Sequence, residues 1–102
     1  EGERQQFEIN SAKEVAHFLV SLDNELGPFY EGRITVLEQA RRMGIVEIAS
    51  HGSEILFTSR ECEDPEKKAH DGDLVRLVSP GFLWKNGDRE VILNKALVTL
   101  VL

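Results

Sequence analysis

From Gly44 onward the chain alternates short β-prone runs with residues that break them. Residues 44 to 62 read GIVEIASHGSEILFTSREC. Two apolar-alternating runs, 44–49 and 54–58, are joined there by Ser50, His51, Gly52 and Ser53, the pattern of a β-hairpin. Residues 61–71 are polar and hold Pro65, which makes them a loop. A strand is expected at 73–78, entered through Asp71-Gly72 and ended by Ser79-Pro80-Gly81. Residues 82–84 are expected to pair with 90–93 across Asn86-Gly87, because Asn-Gly accepts the positive φ angles of a tight hairpin. The run 95–102, KALVTLVL, is strongly β-prone. Short strands at near-regular spacing point to a small barrel.

The first third reads differently. Residues 5–9 are a strand candidate, with Phe7 and Ile9 on one side. Ser11 and Glu14 then form an S-x-x-E capping box, the signature of a helix start. Val15, Phe18, Leu19, Leu22 and Leu26 fall on one helical stripe and form its expected packing face. Gly27 suits a left-handed cap and Pro28 blocks continuation. A strand is expected at 32–37, GRITVL, and a short helix or loop at 38–43.

Composition sets the class of partner. A chain of 102 residues can close one compact core, and 41% hydrophobic content favours order. The net charge of −6 opposes a phosphate-dominated grip on nucleic acid, which needs clustered Lys and Arg. Arg33, Arg41 and Arg42 are the one such concentration. Cys62 is the single cysteine, so no disulfide framework can form, and an intracellular, cytoplasmic setting is expected. No apolar run reaches membrane-spanning length and no secretory pattern is present. The start EGERQQ, without an initiator Met, reads as an excised piece of a longer protein.

The order of pieces from residue 32 to residue 102 resembles a cold-shock domain. Gly32-Arg33-Ile34 is similar to the opening of that family's first strand. Gly44-Ile45-Val46-Glu47 and Glu54-Ile55-Leu56-Phe57 resemble its two RNA-binding motifs. Asp71-Gly72-Asp73-Leu74-Val75 resembles its fourth strand, and Asn86-Gly87, Val91 and Ala96-Leu97 its closing pattern. The spacing is most similar to the divergent cold-shock repeats of upstream-of-N-ras type proteins. The resemblance implies a mostly β fold: a small five-stranded OB-type barrel over 32–102, preceded by a strand and helix extension over 1–31.

It also implies a binding face, and the residues there depart from the family. Strand alternation sends Val46, Ile48, Ile55 and Phe57 inward, and Met43, Ile45, Glu47, Leu56 and Thr58 outward. The family's stacking positions correspond to Met43, Ile45, Leu56, Thr58 and Ser59, none of them aromatic. Base stacking contributes on the order of 1–3 kcal/mol per base, so this face has lost most single-strand affinity. Met43, Ile45 and Leu56 would leave an apolar patch, which the helix or a protein partner is expected to cover.

Other groupings are weak. His17, His51, His70 and Cys62 match no zinc spacing, and no metal or cofactor is expected. Glu61, Glu63, Asp64 and Glu66 lie in a polar loop, where solvated carboxylates are the simpler reading than an acid–base pair. No catalytic triad or phosphate cradle is present, so the chain is read as non-enzymatic. Trp84 is read as core or rim packing, with a displaced stacking role as the alternative. The leading expectation is a scaffold or protein-interaction module of a larger RNA-associated regulatory protein, binding a partner protein or neighbouring parts of its own chain. Two alternatives stand beside it. One is weak direct single-stranded RNA binding through Arg33, Arg41, Arg42 and Trp84. The other is a β-grasp ubiquitin-like carrier, whose terminal Gly-Gly this chain's Leu100-Val101-Leu102 ending lacks.

Overall fold

The computed structural model describes residues 2–101. Two helices come first: α1, Gly2–Leu26, and α2, Arg33–Arg42. Seven strands follow: β1 (Ile45–Glu47), β2 (Glu54–Leu56), β3 (Cys62–Glu63), β4 (Leu74–Ser79), β5 (Phe82–Asn86), β6 (Arg89–Asn94) and β7 (Ala96–Leu100). They form two open sheets, one ordered β1-β5-β6 and the other β2-β4-β7-β3. Neither sheet closes, so the five-stranded barrel expected from the cold-shock resemblance is overturned and the class is mixed α and β. Both helices precede every strand, which also separates this topology from a β-grasp.

One bent hairpin organises both sheets. Its first arm is β4 and β5, its second is β6 and β7, and its turn is at Asn86-Gly87, as the sequence indicates. The arms bend at Pro80-Gly81 and Lys95, so β4–β7 belong to one sheet and β5–β6 to the other. At this bend the arms nearly touch. A Cβ on Gly81 would sit 2.3 Å from Ala96 N, so only glycine fits.

The 44–62 stretch is not a hairpin. β1 pairs with β5 and β2 with β4, both antiparallel, along successive lengths of the same arm. Its two runs join different sheets because each finds its partner in the long arm, not in its neighbour. The short parallel β3, paired with β7, was read as part of a loop. The last expected strand matches β7; its terminal residue, Leu102, lies outside the described residues.

The helices depart most from expectation. Residues 5–9 are helical rather than extended, and Ser11 lies mid-helix, so its capping box starts nothing. Residues 32–37 form most of α2 instead of a strand. Gly32 enters α2 with φ 87°, a left-handed conformation that glycine accepts without strain. Asp23 and Arg33 join the adjoining helix ends, while Phe7 and Ser11 share a cleft with Arg42 and Met43 at the far ends. The helices therefore run antiparallel, with α1 over β5 and β6 and α2 over β1.

Two apolar clusters result. The first joins Ile9, Ala12, Ala16 and Leu19 of α1 and Ala40 of α2 to Ile45, Phe82, Trp84 and Leu93 beneath. It takes side chains from both sides of the expected 31/32 boundary, which falls in the α1–α2 loop. The second joins Phe57, Cys62, Val75, Leu77, Ala96 and Val98, closed by the loop between β2 and β4 rather than by a helix. Asp64 holds that loop: its carboxylate accepts the backbone N–H groups of Glu66, Lys68 and Ala69 at 2.8–3.0 Å.

Candidate functional site

The expected outward patch does not exist as one surface. Ile45 is 2% exposed and lies in the helix-covered core, the opposite of its expected orientation. Its side chain follows Glu47 to the helical side of the sheet because both helices lie there. Leu56 is exposed, but on the other sheet, where its cross-strand partner is the exposed Leu74. Met43 is exposed at the end of α2, and Thr58 and Ser59 are exposed beyond β2. Of the positions expected to point inward, Phe57 is buried and Val46, Ile48 and Ile55 are half-buried.

The residues named for RNA contact are scattered as well. Trp84 is 2% exposed, which settles it as core packing and leaves no ring face for a base. Arg89 lies over its ring, 5.9 Å from the centroid. Arg33 is committed internally: its guanidinium makes two bonds of 2.9 Å to Asp23 and one of 2.8 Å to Glu47. These partners raise the Arg33 pKa, chiefly through the Asp23 hydrogen bond, against the opposing cost of burial. Burial also raises the pKa of nearby Tyr30, helped by Asp23 and opposed by Arg33. The network ties the end of α1, the start of α2 and β1 into one unit. Only Arg41 and Arg42 of the three stay exposed.

The remaining polar groupings hold no reaction centre. Among the described residues, no three His, Cys, Asp or Glu side chains are grouped to hold a metal ion. Cys62 is buried in the second cluster. Arg33, Leu37 and Arg41 of α2 face residues 45–47, Ala49 and Ser50 across a cleft of about 330 Å³. The Arg33–Glu47 ion pair occupies part of that cleft. No described helix is long and apolar enough to cross a membrane.

What stands out is the outer side of α1. The expected packing face was Val15, Phe18, Leu19, Leu22 and Leu26, yet only Leu19 of these is buried. The face turned to the core is Ile9, Ala12, Ala16, Leu19 and Asp23. At 100° per residue, Phe7, Ser11, Phe18 and Leu22 fall within about 60° of one another on the other side. Phe7 is 72% and Phe18 61% exposed, with Val15, Leu22 and Leu26 along the edge. Phe29 continues this exposed apolar surface past the helix and meets the His51 ring edge-on, with centroids 5.6 Å apart. Phe7 was missed because it was assigned to a strand; the eleven-residue step to Phe18, three helical turns, was the available signal.

Compared with protein-family models, with curated proteins and with solved structures, the chain matches none of them.

Proposed function

We propose that this chain is a non-enzymatic protein-interaction module that docks a partner through the outer face of α1. The exposure of Phe7 and Phe18 on one side of a helix whose other side is already packed carries this reading. Large aromatic side chains left in water on one stripe mark a binding surface, since burying each contributes about 1.5–3 kcal/mol. The polar groups support it too: the Arg33 network and the Asp64 loop are spent on holding the fold. The RNA-binding alternative retains Arg41 and Arg42, on a chain of net charge −6.

A photo-crosslinking side chain at position 18 tests the reading, with position 99 on the other sheet as control. Protein adducts, with this chain or another protein, are expected from position 18 only, and Phe7→Glu should remove them. Absence of a protein adduct at position 18, or adducts with single-stranded RNA in its place, overturns the proposal.

A further inference from the structure

We infer that the occupant of the α1 outer face is the same face of a second copy, with the two helices antiparallel. This rests on the docking reading above and names its partner. The spacing of the face is symmetric under reversal. Phe7, Ser11, Val15, Phe18, Leu22 and Leu26 are arranged evenly about the midpoint between Ala16 and His17. Turning one helix end for end therefore sets Phe7 opposite Leu26, Ser11 opposite Leu22, and Val15 opposite Phe18. Each aromatic ring then meets an aliphatic side chain of the other copy. A parallel pairing would instead place Ser11 on Ser11, a polar pair within the apolar contact.

Charge selects the same direction. Arg4 and Glu25 are both exposed and lie on this face at opposite ends of α1. In the antiparallel pair Arg4 of one copy comes within side-chain reach of the partner's Glu25, and symmetry makes that contact twice. A parallel pair would set arginine beside arginine and glutamate beside glutamate. One contact opposes the arrangement: Glu14 flanks the stripe near its midpoint and approaches the partner's Glu14. The contact is small. A helix of 25 residues is about 37 Å long, and a strip about 10 Å wide covers on the order of 400 Å² per copy. That is about half of what a standard stable interface buries per partner, which places the pair among weak, reversible associations.

Sedimentation of the purified chain, from low micromolar to near-millimolar concentration, tests this. A reversible monomer–dimer equilibrium is expected. Phe18→Glu should leave a monomer whose melting temperature is unchanged, which separates lost docking from lost folding. Arg4→Glu and Glu25→Arg should each weaken the dimer about threefold, and the double exchange should restore it. Glu14→Gln should tighten it about twofold. A chain that stays monomeric throughout overturns the inference, as does a charge exchange whose two losses simply add. If the purified chain is monomeric while position 18 crosslinks another protein, self-pairing fails and the docking proposal survives. If position 18 yields no protein adduct at all, the docking proposal fails with it.

Discussion

The two sides of α1 have opposite compositions. The inner side is small where it meets the sheet: Ala12 and Ala16 are fully buried, flanked by Ile9 and Leu19. The outer side carries Phe7 and Phe18 in water. A reading by hydrophobicity alone ranks them the wrong way round. Small residues let the helix axis approach β5 and β6 closely, and the bulk at that contact comes from Phe82, Trp84 and Leu93 beneath. The helix therefore packs through what it lacks, and its largest side chains are left for another surface.

That contrast can be broken from the inside first. Trp84→Ala removes the largest side chain under the inner face and should cost about 3–5 kcal/mol, read by chemical denaturation. Asp23→Ala leaves Arg33 in a largely buried site with only Glu47, and should cost about 2–4 kcal/mol by the same measurement. Arg33 and Asp23 replaced together by apolar residues of similar size should lose less than the single variant, because no unpaired charge remains. Ala16→Leu overfills the helix–sheet contact and should cost about 1–3 kcal/mol. On the outer side, Phe18→Ser should change stability by less than about 0.5 kcal/mol while abolishing association. A large loss of stability there would show that the two sides are not distinct.

The loop-closed half of the molecule offers a control independent of α1. Asp64 has its pKa lowered, first by the Lys68 backbone N–H and further by Ala69 and Glu66, against a smaller opposing effect of burial. Its folded pKa therefore lies below the unfolded value of about 3.9. The stabilisation is fully present above that value and is lost as pH falls through the lowered folded value. Melting temperature should accordingly drop in acid below about pH 4, and Asp64→Asn should flatten that drop. Phe18→Ser should leave the acid profile unchanged.

Local chemistry made some of this architecture legible. Asn86-Gly87 names its hairpin, and the β-prone runs at 73–78 and 95–102 correspond to β4 and β7. The α1 helix was visible in its second half, where Gly27 and Pro28 end it. Its first half was hidden because Phe7 and Ile9 alternate as strand residues do, although Ile9 is buried as part of the helix. The α2 helix was hidden by Ile34, Thr35 and Val36, a β-branched run whose local preference is overridden by the Asp23–Arg33–Glu47 network. Ile45 was misplaced because its orientation depends on which side of β1 the helices cover, a contact set by residues far away in the chain. The family resemblance compounded the error by supplying a barrel to hold these strands. As for the candidate face, Phe18 and Leu22 were singled out, but as core.

The claim that α1 folds through one side and docks through the other has a direct test in amide chemical shifts recorded as protein concentration is raised. Progressive shifts confined to Arg4, Phe7, Ser11, Phe18, Leu22 and their neighbours, with Leu56, Leu74 and Val78 unmoved, are the predicted result. Shifts concentrated on the exposed β2–β4 surface, or an α1 insensitive to concentration and to every added partner protein, would contradict it.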